Sequence, residues 1–150
     1  MTEKFKPTAR KRARQCAIQA LYQWWIAGTD IVEVERQFQQ YRNLAKVDTL
    51  YFHRLLTQIT AHQSRIDELF IPYLDRDITT LNPIELQALR MGCYELVYEP
   101  SIPYKVAINE AVELTKIFGA TDGYKYVNGV LDKVAKQCDT TDPEQSQYEQ

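Results

Sequence analysis

Apolar residues recur every three or four positions over most of this 150-residue chain, the spacing that lines side chains up on one face of an α-helix. Ala13, Cys16, Ala17, Ala20, Leu21 and Trp24 predict a first helix over about 8–27, with Gly28 as its stop. Ile18, Tyr22 and Trp25 form a second stripe on the same helix, which implies a second contact surface, internal or external. Asp30 with Glu33 three residues on reads as a variant capping box opening a second helix through Ile31, Val34, Phe38 and Tyr41. A third starts near Asp48, where Leu50 or Tyr51, then Phe52, Leu55, Leu56 and Ile59, make a broad apolar stripe. Ile66, Leu69, Phe70 and Tyr73 extend the period after a restart or kink at Ser64 to Asp67, and Pro72 should end it by removing a backbone donor.

The pattern lapses between Leu74 and Leu81, the expected hinge between two helical halves. Asn82, Pro83 and Glu85 then supply an N-cap, a proline at the first helical position and an early carboxylate. Leu86, Leu89, Cys93, Leu96 and Val97 carry the buried face of that helix. Another follows Pro103 with Ala107, Ile108, Ala111, Leu114, Thr115 and Phe118, stopping at Gly119. The last, from about Gly123 to Lys136, buries Val127, Val130, Leu131 and Val134, and Gly129 inside it suggests a close helix contact. The expected fold is all-α, a single domain over 1–138 built from two packed subdomains of three to four helices, about 8–74 and 82–136. Residues 139–150 form a polar tail expected to be disordered.

Composition supports helices: 5 Gly and 6 Pro are too few for the frequent turns of a sandwich or barrel. Charge changes the picture more. Residues 1–14 hold six cations against Glu3, a net of +5, which leaves −7 for the remainder of a chain whose formal net charge is −2. Lys6, Arg10, Lys11, Arg12 and Arg14 thus form a basic arm on an acidic body, either a polyanion-binding element or a solvated helix start. Several of the ten tyrosines stand beside cations: Tyr104 precedes Lys105, and Tyr124 and Tyr126 flank Lys125. Interleaved aromatics and cations can hold unstacked bases and phosphates, although each tyrosine taken singly is also ordinary core.

Catalysis finds no foothold. No glycine-rich nucleotide loop, P-loop, HExxH or GxSxG motif occurs, His53 and His62 are too far apart for a shared metal on one helical face, and Glu95 and Glu99 read as a solvated face. No enzyme activity, metal or cofactor is expected. Cys16, Cys93 and Cys138 are odd in number and widely separated, which argues against a disulfide framework and for the cytoplasm. No apolar run suits a membrane span or a signal peptide.

The segments PYKVAINEAVEL (Pro103 to Leu114), FGA (Phe118 to Ala120) and KYVNGVLDK (Lys125 to Lys133), with ARKRARQCAIQALYQW (Ala9 to Trp24) and VDTLYF (Val47 to Phe52), resemble the NusB family of bacterial transcription antitermination factors. The resemblance covers roughly residues 6 to 136. It implies an all-α protein that binds boxA-type single-stranded leader RNA together with the ribosomal protein NusE, and through it other Nus factors and RNA polymerase, in support of ribosomal RNA transcription. It places RNA contacts on Lys6, Arg10, Lys11, Arg12, Arg14, Tyr73, Lys125 and Tyr126, and partner contacts on Tyr22, Glu85 and Asp122. Lys11 replaces a frequent arginine and so lacks the planar fork for bidentate phosphate contact. Tyr126 stands where phenylalanine is common, and Gly123 sits in a turn that is usually more polar. Exposed stripes on both halves also leave room for a homodimer. Two rivals remain: a protein-only helical scaffold with a nonspecific basic arm, and the RNA methyltransferases that carry a similar domain. The second would need a further α/β domain.

Overall fold

A computed structural model describes residues 7–141, and among them there are seven α-helices, two short 3-10 turns and no strand. They divide into two compact units, one ending at Gln63 and the other beginning at Ser64.

The first unit holds α1 (Pro7–Ala27), α2 (Ile31–Tyr41) and α3 (Thr49–Ala61). Proline at the first position of α1 sacrifices no hydrogen bond there. Gly28, at a φ of 71°, takes the left-handed conformation that ends the helix, and its amide donates to the Trp24 carbonyl at 3.1 Å. Ala13, Ala17, Ile18, Ala20 and Leu21 are buried, and α1 packs on both α2 and α3. The small side chains permit close approach, while Phe38 of α2 meets Phe52 of α3 with ring centroids 5.8 Å apart. Asp48 caps α3 by accepting from the Tyr51 amide at 3.0 Å. Of the two candidates for the core face of α3, Tyr51 is buried and Leu50 is exposed. The expected capping box on α2 is not formed. Asp30 makes no side-chain cap bond, and Glu33 is engaged instead by Arg36 one turn on, at 2.6 and 3.0 Å.

The second unit holds α4 (Gln63–Phe70), 3-10 turns at Ile71–Tyr73 and Ile78–Thr80, α5 (Pro83–Tyr98), α6 (Tyr104–Phe118) and α7 (Gly123–Thr141). The unit boundary therefore precedes the 74–81 segment. Asp67 on α4 receives two hydrogen bonds of 2.9 Å from Arg90 on α5, both groups buried, and that pair attaches α4 to the second unit. Asn82 caps α5 by accepting from the amides of Ile84 and Glu85 at 2.9 and 3.2 Å.

Helix α5 is the central element. Every residue from Glu85 to Glu95 is buried, and α6 and α7 both pack on it. Glu95 and Glu99 accordingly do not form a solvated face: Glu95 is 1% exposed, and Glu99 accepts from the Tyr94 hydroxyl at 2.6 Å. Val97, expected in the core, is exposed in the last turn. The close helix contact falls at Gly92 rather than Gly129. A Cβ at Gly92 would stand 2.6 Å from Leu131 and 3.3 Å from Ala111, whereas Gly129 has open space around it. Helix α7 runs to Thr141, five residues past its expected end, and the tail over 142–150 lies outside the described residues.

Candidate functional site

The predicted site residues fall into one constellation on each unit. In the first, α1 turns Arg10 and Arg14 toward α3. The Asp48 amide donates to the Ala9 carbonyl at 3.1 Å and pins the start of α3 against the start of α1. Arg10 then lies with its guanidinium 4.0 Å above the Tyr51 ring and its Nε 3.9 Å from the Asp48 carboxylate. Arg14 is 5.6 Å from the same ring and only 4% exposed, and Arg54 approaches it to 5.2 Å. Three guanidinium groups thus surround one aromatic ring, whose electron-rich face favours each of them. Three like charges so close concentrate a positive potential.

Lys11 and Arg12 are exposed, unlike Arg14. The basic arm therefore splits in two: Lys11 and Arg12 face solvent, whereas Arg10 and Arg14 are also part of the packing. Lys6 lies outside the described residues. Further along α1, Tyr22, Trp25 and Ile26 are exposed, with 39%, 38% and 54% of their surface accessible. The outer stripe expected there is open in its second half, while Ile18 at its start is buried.

In the second unit the site gathers around the start of α7. Asp122 adopts a φ of 66°, uncommon for a residue with a side chain, and delivers the chain into Gly123. Its carboxylate stands 3.6 Å from Lys125 Nζ, both groups well exposed. The Glu85 carboxyl group fills the space that a Cβ at Gly123 would need. Glu85 is 7% exposed, so this predicted partner residue lies beneath the turn, and Asp122 is the exposed member of the pair. Burial pushes the Glu85 carboxyl above its ordinary range, opposed by the charge of Arg76.

The Tyr126 hydroxyl donates to Asp75 at 3.2 Å, and the Arg76 guanidinium covers the Tyr126 ring at 4.6 Å while bonding Asp75 at 2.6 and 3.2 Å. Arg76 draws the Asp75 carboxyl below its usual value. Burial raises the Tyr126 phenol. Tyr73, half-buried in the first 3-10 turn, belongs to a segment that packs on α7. Cations, aromatic rings and carboxylates are thereby brought together on each unit. Among the described residues no group of three or more His, Cys, Asp or Glu could hold a metal. His53 bonds Glu35 at 2.8 Å instead.

Tyr51 was read from sequence only as a core candidate, and Arg54, Asp75 and Arg76 were not singled out. The last two lie in the charged DRD run two residues after Tyr73, a signal that was available. The grouping on Tyr51 depends on two helices meeting and leaves no local trace.

A family model described as the NusB family matches residues 11–136. The chain belongs to the NusB family. Among its relatives, the transcription antitermination protein NusB of Legionella pneumophila strain Corby is 53% identical over 135 residues, covering 90% of this chain and 92% of that protein. A structure of T. maritima NusB superposes with a TM-score of 0.74 at 32% identity, covering 85% of this chain and 90% of that one. A crystal structure of antitermination factors NusB and NusE in complex with dsRNA gives a TM-score of 0.71 at 27% identity, covering 91% and 99%. No helix among the described residues of this NusB-family chain is long and apolar enough to cross a membrane.

Proposed function

We propose that this chain is an RNA-binding adapter in transcription antitermination, which holds boxA-type single-stranded leader RNA together with NusE in the cytoplasm. The observation that carries the reading is the clustering of Arg10, Arg14 and Arg54 on the Tyr51 ring, with Lys11 and Arg12 exposed beside them. A solved relative that holds NusE and dsRNA supports RNA and NusE as the classes of partner.

In this reading Lys11 and Arg12 meet phosphates directly, with Lys6 assisting, and Arg10 and Arg14 supply charge from a fixed position. Tyr126 offers a ring for a base, Lys125 a phosphate contact, and Tyr73 an aromatic edge. NusE docks on the exposed stripe of Tyr22 and Trp25 and on Asp122, with Glu85 setting the turn from below. NusE then couples the RNA to other Nus factors and to polymerase. Each contact is weak alone, and linking them raises effective concentration.

One observation favours the scaffold reading: Arg10 and Arg14 are already used in packing on Tyr51. Changing Lys11 and Arg12 to alanine separates the two. The adapter reading expects weaker binding to all RNAs and a log affinity against log salt slope shallower by about 1.4, or about 0.7 per lost phosphate contact. An unchanged slope supports the scaffold.

A further inference from the structure

A cleft of about 560 Å³ lies between α6 and α7 of the second unit, and its lining includes Lys125 together with Tyr104, Lys105 and Tyr124 of the interleaved aromatics and cations. Its floor is apolar, formed by the buried Ile108 and Val112. Tyr104 and Tyr124 supply aromatic faces, Asn109 and Asn128 supply amides, and Lys105 and Lys116 supply ammonium groups. The volume is within the range of small-ligand sites, about 300–1,000 Å³.

We propose that this cleft takes an additional nucleotide of the same RNA strand, extending the footprint beyond Tyr126. The inference rests on the RNA-binding reading. Tyr124, Lys125 and Tyr126 are consecutive on α7, so Lys125 projects between two rings that point about 200° apart. A strand whose base meets Tyr126 can cross α7 with a phosphate on Lys125 and place its next base in the cleft. There Tyr104, half exposed, gives a stacking face. The two amides can pair with a base edge, and Asp132 accepts from an exocyclic amino group, which favours a base that carries one.

The cations are free enough to serve. Lys105 makes no ion pair among the described residues. Lys116 pairs with Glu113 at 3.3 Å and lies 4.9 Å from the Tyr124 ring, while Lys125 pairs with Asp122 at 3.6 Å. Both are solvent-exposed ion pairs of little net value, readily exchanged for a phosphate. The tyrosine rings beside ammonium groups match a base next to its phosphate, the pairing typical of single-strand sites.

The test compares a boxA-type core RNA with the same RNA extended by three nucleotides at either end. Each is titrated against the full chain and against a Lys105→Ala, Lys116→Ala variant at several salt concentrations. One extension should tighten wild-type binding about tenfold, the scale of one stacked base, and steepen the log affinity against log salt slope by up to about 1.4. The variant should lose that gain yet bind the core RNA like the wild type. A core that binds with no gain from either extension overturns the cleft's role alone. A wild-type chain that binds neither RNA overturns the parent reading and the cleft with it. A variant that keeps the gain shows that the cleft's ammonium groups do not hold the added nucleotide, and the proposal is wrong.

Discussion

The hydroxyl of Tyr126 is held by the carboxylate of Asp75, 3.2 Å away and fifty-one residues earlier in the chain. That bond fixes the orientation of a ring which phenylalanine would leave untied, and Arg76, anchored on the same carboxylate, covers one of its faces. One face of Tyr126 is therefore set against a cation.

Tyr126→Phe should then keep most RNA affinity, within about threefold, because stacking needs the ring and not the hydroxyl. Tyr126→Ala should lose about tenfold or more on boxA-type RNA and less on a scrambled control. Fluorescence titration of both RNAs checks it. Equal losses on the two would mean that Tyr126 only packs.

Glu85 beneath Gly123 sets a pH dependence. Burial raises its carboxyl above the ordinary value, so the folded chain binds that proton more tightly than the unfolded chain does. Stability from this group must fall as pH rises from the unfolded value, about 4.3, through the raised folded one. Glu85→Gln removes the titration. The stability difference between variant and wild type, read from urea midpoints, should move in the variant's favour as pH rises across that window. A difference that does not change with pH would contradict the assignment.

Much of the helical outline was legible because its signals are local. Gly28 ending α1, Asp48 capping α3 and Asn82 with Pro83 opening α5 are each decided by a few neighbouring residues. What could not be read depends on partners distant in sequence. Gly92 and Gly129 look alike along the chain, and only the arrival of Leu131 and Ala111 distinguishes them. Glu95 and Glu99 have the spacing of a wet face, yet α5 is packed by its neighbours on that side too. The 74–81 segment loses apolar periodicity as a linker does, but the Asp67 and Arg90 pair places the unit boundary ahead of it. At the candidate site the cations were visible as a run, while their division into packed and exposed members came from the Tyr51 ring.

That division gives a stability prediction. Arg14→Ala removes a buried side chain and a guanidinium near Tyr51, and should destabilise the fold by about 1–3 kcal/mol. Lys11→Ala and Arg12→Ala, both at exposed positions, should stay within about 0.5 kcal/mol of wild type. Urea unfolding followed by circular dichroism measures all three. Equal stability across the series would mean that Arg14 contributes nothing to the packing.

The adapter account as a whole is tested most directly by titrating the chain with boxA-type RNA and a scrambled control, each with and without NusE, at several salt concentrations. The account predicts selective binding of the boxA-type RNA, tightened by NusE and weakened by salt. Equal binding of both RNAs, unaffected by NusE, would contradict it and leave the cations of α1 as a nonspecific patch on a helical scaffold.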